Sequence, residues 1–274
     1  MANETSPKRV IRSATTHPVA RVAARAGYVI SGVLHLLIAY IIVSIAIGSG
    51  GGEADQTGAL KTIASTTGGN VALWAAAAAL VPLALWRLAE TIVGLHPGER
   101  RGRDPGDFEF GNRLKALGLA VVYTAVAVTA VQFALGSRKS SAAQSAGLSA
   151  RLMRSTQGKA VLVVVGLAIA AIGCYFAFKG ASRKFCKDLT VSPGRAITVL
   201  GVSGYVAEGL VLAGAGVLVI VAAVRADPSK ATGLDGAVRT LAQLPYGTVL
   251  ILCAALGFAA YGCYSFALSR YSRM

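Results

Sequence analysis

A chain of 274 residues that is 54% hydrophobic and only 14% charged departs from soluble domains, in which roughly 25% of residues are charged. Its mean hydropathy of +0.60 agrees, and together these values exclude a soluble two-domain enzyme, a disordered chain and a disulfide-stapled one. The net charge of +15 is spread over short connecting segments with no nucleic-acid-binding fold between them, so attraction to anionic lipid accounts for it better than nucleic acid does.

Residues 1–21 read as a flexible tail, with Lys8, Arg9, Arg12, Pro7 and Pro18. A membrane-crossing helix needs about 20 mostly apolar residues. Six stretches meet that length: Tyr28–Ile47, Val71–Val93, Leu114–Leu135, Ala160–Phe178, Val199–Val224 and Val249–Leu268. The first is too long for a signal-peptide core, and no clear cleavage site follows it, so it reads as a retained span. Alternation with period two, the mark of a membrane barrel, is absent, and helices remain the only reading. The connecting loops leave no room for a separate catalytic domain.

Seventeen basic residues fall on the side holding the N-terminal tail, the 94–115 and 179–198 loops and the C-terminus, against nine on the other. This bias predicts cytoplasmic termini. The acid-free, basic loop 136–159 works against it.

Internal repetition is the strongest signal. Gly58, Gly147 and Gly236 are spaced evenly, each in a loop between two spans. Gly69, Gly158 and Gly247 keep the same spacing at the entrance of each even-numbered span, and Trp86, Tyr175 and Tyr264 follow in register. Gly27-Tyr28 matches Gly204-Tyr205, and Gly32 matches Gly209. The repeats are placed at residues 22–98, 99–185 and 186–274, two spans each. With an even number of spans, every copy enters the membrane in the same direction, so a pseudo-threefold axis along the membrane normal can relate them. The Gly-Ala-Leu-Lys-Thr-Ile-Ala run at 58–64 and its counterpart at 236–242 predict short helices lying in the interface; the middle copy is less regular. The expected fold is therefore an all-α polytopic bundle of six transmembrane helices, built as three tandem two-helix repeats with pseudo-threefold symmetry.

Three two-helix units with a Gly-Tyr-x-x-x-Gly start, a Gly-Ala-Leu turn and a Gly-led second helix resemble an uncharacterised actinobacterial membrane family, the domain of unknown function DUF1206. Ala84-Leu85-Trp86-Arg87-Leu88 matches its second-helix ending. The resemblance covers about residues 22–272, and the second copy departs from it by lacking the Gly-Tyr start and the Gly-Ala-Leu turn. It implies a six-helix protein of the bacterial inner membrane and supplies no activity.

Few residues could carry chemistry. No C-x-x-C, H-E-x-x-H, phosphate-binding loop or Gly-x-Ser-x-Gly elbow is present, and of three histidines only His35 lies in a span, so no metal, haem or other cofactor is expected. Cys174 and Cys263 sit one turn after Ala170 and Ala259 and read as small-residue helix seams. Charged groups at mid-membrane are costly and so are the sharp candidates. Arg87 and Glu90 fall on one face near a helix end, as an interfacial ion pair with a snorkelling arginine. His35 and Glu208 are deeper. Glu208 aligns with Ser31 by the repeat, and His35 is one turn beyond Ser31, so all three are expected to look toward one axis, with His35 and Glu208 in contact directly or through one water.

Nothing in the sequence supports an enzyme. A non-enzymatic scaffold or accessory subunit is the leading reading, with the bilayer and other membrane proteins as partners; the alternative is a small-solute or proton-coupled transporter using Glu208 and His35. The topology is checked by single-cysteine labelling of intact cells in a background free of native cysteines. Labels at Ser65 and Ser145 are expected to react from outside, and protection of both until lysis reverses the orientation.

Overall fold

The computed structural model describes residues 18–49, 52–93, 109–137 and 140–272. Nine α-helices run through them: α1 Pro18–Ala46, α2 Gln56–Ala64, α3 Gly69–Val93, α4 Glu109–Ala134, α5 Ser141–Leu152, α6 Thr156–Ala181, α7 Arg195–Arg225, α8 Gly233–Ala242 and α9 Gly247–Tyr271. Six are long and apolar enough to cross a membrane, with mean hydropathies of 1.8 to 2.6 over their apolar windows. The other three, α2, α5 and α8, are the short helices between the spans, and the middle unit has one despite its irregular sequence. Helix α1 starts at Pro18, inside the stretch read as tail, because proline is well tolerated in a helix's first turn.

The order long–short–long, three times over, is the architecture that the repeat implies. Its packing is cyclic between units. The second span of each unit lies against the first span of the next, α3 on α4 and α6 on α7, and α9 of the last unit returns to α1 of the first. Lipid offers helices little hydrophobic reason to associate, so close backbone approach between small residues has to hold such pairs. At the α6–α7 crossing, Gly173 faces Gly209 and, two turns away, Gly166 faces Gly216. A Cβ on Gly209 would sit 2.6 Å from the Gly173 carbonyl oxygen, and one on Gly216 equally close to that of Gly166. The α9–α1 crossing repeats this with Gly262 on Gly32, where either Cβ would come within 2.9 Å of the opposite carbonyl oxygen. At the equivalent positions of α3 and α4 stand Ala84 and Ala120, both buried.

These crossings overturn the cysteine seam. Cys174 and Cys263, with Cys253, are exposed on the outside of the bundle. Each seam residue is instead the glycine just before, Gly173 or Gly262. The physical reason is helical rotation: one residue turns the side chain by about 100°, from the seam to the lipid. Ala170 does belong to the seam, since a Cβ on Gly216 would meet its backbone nitrogen.

The entrance glycines have their own cause. A Cβ on Gly69, Gly158 or Gly247 would collide with the carbonyl oxygen of Ile63, Leu152 or Ala242 at the end of the preceding short helix. In each unit, only glycine lets the second span start directly against the helix that precedes it. Gly58 and Gly236 are also confined, by the Glu53 carbonyl and the Thr232 hydroxyl. Gly147 is not; it is exposed, with open space around it, so at this position the repeat keeps the residue without its contact.

On the short-helix side the first and third units are tied by hydrogen bonds. Asp235 of α8 accepts from the Ala54 amide at 2.8 Å and from Arg239 Nε at 2.9 Å, while Arg239 Nη2 donates to the Gly52 carbonyl at 3.1 Å. Asp55 caps α2, accepting from the Gly58 amide at 2.9 Å. Burial pushes the Asp55 carboxyl up to about 6, and the nearby Glu53 and Asp235 charges push it the same way.

This packing can be tested at two positions. Gly262→Leu is expected to destabilise the protein by about 1–3 kcal/mol or more through overpacking, whereas Cys263→Leu is expected to be nearly neutral; thermal unfolding in detergent separates them. At Asp55 the raised value means that the folded state holds the proton more tightly than the unfolded chain. Each tenfold difference in proton affinity is worth about 1.4 kcal/mol. Stability should therefore fall by up to about 3 kcal/mol as pH rises from about 4 to about 6, and level off above. Asp55→Asn keeps the cap and should flatten that slope; an unchanged pH profile would count against it.

Candidate functional site

The bundle's interior is divided across its depth. Toward the short helices it is aliphatic and closed: Ile38, Ile42, Leu60, Leu73, Val238 and Ile251 belong to one cluster with almost no exposure. Toward the termini it is aromatic and polar, around Tyr28, Trp86, Phe185, Tyr205 and Tyr264. Phe185, carried on a 3₁₀ turn at Lys184–Asp188, is fully buried between Tyr205 and Tyr264, with ring centroids 5.5 and 5.3 Å away. It fits there because Gly201 has no Cβ.

His35 and Glu208 lie where these two regions meet. The Gly32–Gly262 crossing brings α1 against α9, and Gly204, whose Cβ would meet the Tyr261 backbone at 2.7 Å, brings α7 against the same helix. Ser31 and Glu208, each just before its unit's crossing glycine, then face the same interior. His35 Nε2 is 3.4 Å from Glu208 Oε1, and Nδ1 is 2.7 Å from the Ser31 carbonyl oxygen. Ser31 thus takes part through its backbone. The imidazole is buried and lies 4.8 Å from the Tyr261 ring, centroid to centroid.

This geometry limits where protons can sit. A carbonyl oxygen only accepts, so Nδ1 carries a hydrogen. The Nε2–Oε1 contact then needs one more proton, held either by the imidazole as a cation beside a carboxylate or by a carboxylic acid beside a neutral ring. One proton between the two groups, on either of them, leaves the pair net-neutral, which suits a low-dielectric interior. Among the described residues, the other carboxyl oxygen, Glu208 Oε2, is buried without a hydrogen-bond partner.

From this pair, tyrosines lead toward the termini. Tyr261 packs edge to face on Tyr205 at 5.1 Å, and Tyr123 of α4 packs against the same aromatic cluster. The two tyrosines of the Gly-Tyr starts each meet a cation. Tyr28 Oη accepts from Arg87 Nη2 at 2.5 Å, and Tyr205 Oη accepts from Lys179 Nζ at 3.3 Å. Arg87 Nη1 also donates to Glu90 Oε2 at 2.6 Å, and Lys179 Nζ to Asp188 Oδ2 at 2.5 Å.

Arg87 and Glu90 form an ion pair, but the arginine does not snorkel outward as expected. Glu90 is buried and Arg87 turns inward to Tyr28, because the tyrosine hydroxyl gives the guanidinium a partner inside the bundle. The Lys179–Asp188–Tyr205 set was missed by sequence reasoning. Its one legible signal is that Tyr28 and Tyr205 are repeat equivalents, and equivalence marks a register without revealing a hydrogen bond. No group of metal ligands is assembled among the described residues.

Fold and interior together define a class: an all-helical, multi-pass membrane protein assembled from three tandem two-span units. The family model described as Domain of Unknown Function (DUF1206) matches each unit in turn, at residues 26–94, 114–183 and 203–272, and the chain belongs to that family. It is 26% identical over 266 residues to the uncharacterized protein YxxB of Bacillus subtilis (strain 168), an alignment covering 94% of each chain. No solved structure matches it.

The pair can be tested by stability. Glu208→Leu leaves His35 Nε2 buried without a partner and is expected to cost about 1–3 kcal/mol. In Glu208→Gln the amide can donate to the neutral imidazole, so stability should stay close to wild type. Equal losses in thermal unfolding would mean that the contact is not made.

Proposed function

We propose that this protein is a non-enzymatic scaffold or accessory subunit of the bacterial inner membrane, with both termini cytoplasmic. The observation that supports this reading best is the aliphatic cluster closing the short-helix half of the interior. His35 and Glu208 stand where the two regions meet, and the tyrosines lie on the side nearer the termini. A solute path would have to breach side chains such as Ile38, Ile42 and Leu73.

A second reading, proton-coupled transport, rests on one specific observation: His35 Nε2 lies 3.4 Å from Glu208 Oε1 at mid-span, and Glu208 Oε2 has no partner among the described residues. Intramembrane ionisable groups of this kind are frequent parts of proton pathways.

Purification in mild detergent, with identification of co-purifying chains, distinguishes the two. The scaffold reading predicts a stoichiometric membrane partner that survives Glu208→Gln. A chain that purifies alone, and that gives pH-driven flux in liposomes abolished by Glu208→Gln, would overturn it in favour of the second reading.

A further inference from the structure

The three units are not equally closed. In the first and third, the two spans of the unit pack on each other, α1 on α3 and α7 on α9; in the middle unit α4 and α6 scarcely touch. The helices therefore follow one another as α4, α3, α1, α9, α7 and α6, in a ring broken between its two ends. Helix α6 is the least covered span, with 17% of its apolar window buried, against 33% for α4 and 39–44% for the other four. Both flanking helices carry exposed aliphatic side chains, among them Val121 and Val128 on α4 and Val164 and Leu167 on α6.

The same unit differs from its siblings in charge. In the loops of the first and third units, carboxylates take up caps and cations: Asp55 caps α2, Asp227 caps the turn at Pro228–Lys230, and Asp235 holds Arg239. The segment from 135 to 159 contains no Asp or Glu and five basic residues. Its helices α5 and α6 are capped by the neutral side chains of Ser140 and Ser155. Of its cations, Arg151 and Arg154 are exposed and Lys159 is half-buried, and none of these three makes an ion pair among the described residues. Lys61, Arg225 and Lys230 of the sibling loops also make no ion pair among the described residues, but they share their loops with carboxylates, so open helices and an excess of positive charge coincide in one repeat of three.

We propose that the middle unit binds an anionic phospholipid from the leaflet on the short-helix side. Its acyl chains lie along the break between α4 and α6, and its phosphate rests on Arg151, Arg154 and Lys159. Acyl chains suit a break that is apolar and continuous with the bilayer. Guanidinium groups hold phosphate with paired, directed hydrogen bonds, and a headgroup with net negative charge answers the unpaired cations. A zwitterionic headgroup would bring its own ammonium group among them. This site also gives a reason for an acid-free basic loop on the side where the charge bias predicts fewer cations. It is independent of whether the protein is a scaffold or moves protons.

The test compares the full-length protein in nanodiscs of phosphatidylcholine with and without phosphatidylglycerol, read as the shift in unfolding temperature. Wild type is expected to gain stability from the anionic lipid, and Arg151→Gln/Arg154→Gln/Lys159→Gln to lose most of that gain. Lys61→Gln/Arg225→Gln/Lys230→Gln, which removes three charges from the sibling loops, should keep it. Equal responses from both triple variants would reduce the effect to general surface charge and overturn the site. Should the first variant fail to fold, native mass spectrometry of wild type with equal amounts of phosphatidylglycerol and phosphatidylethanolamine decides. Preferential retention of the anionic lipid supports the site; equal retention, or a partner's transmembrane helix held at the break instead, contradicts it.

Discussion

The backbone crossings at small residues are the constraint from which the rest of the structure follows. Helices in lipid gain little from burying leucine against leucine, because the acyl chains are equally apolar. What can hold them is close van der Waals contact between backbones, and that needs positions without side chains. Gly173 on Gly209 and Gly262 on Gly32 supply it. Each joins the second span of one copy to the first span of another. The triplicated sequence therefore becomes a cycle of units rather than three separate hairpins.

The polar interior is a consequence of those crossings. Gly32 and Gly209 are repeat equivalents, and Ser31 and Glu208 immediately precede them. Two helices related by pseudo-symmetry, both pressed on α9, direct equivalent faces inward, and the first unit adds His35 one turn further along. A half-buried acid beside a buried imidazole is tolerated where one proton between them leaves the pair net-neutral. The symmetry is also broken in a consistent way. In the middle unit Gly147 has open space where a Cβ would stand, Tyr175 is half-buried where Trp86 and Tyr264 are buried, and the two spans part. The unit with the weakest repeat signature is the one with the loosest packing.

Much of this was legible in the sequence. Span count and repeat register needed only hydropathy and the spacing of glycines, because a lipid environment leaves helices as the sole option and a triplication carries its landmarks with it. The meeting of His35 and Glu208 was legible too, since register plus parity places their faces toward one axis. The seam was misplaced by one residue at Cys174 and Cys263. Small-residue spacing identifies a helix contact but, without the facing helix, does not fix which of two adjacent small residues makes it. Phe185 and the Lys179–Asp188 pair were beyond reach for another reason: a basic loop gives no sign that one phenylalanine folds back under Gly201. The inward turn of Arg87 likewise depends on Tyr28, which is distant in sequence.

The central claim is that the first and last copies meet within one chain through α1 and α9. A photoreactive benzoylphenylalanine in place of Phe258, whose ring lies 6.1 Å from the His35 ring, tests it most directly. Irradiation of membranes followed by peptide mapping should yield an intramolecular cross-link to the α1 segment around His35. Cross-links confined to lipid, to other helices or to a second chain would contradict the cyclic arrangement of the three units.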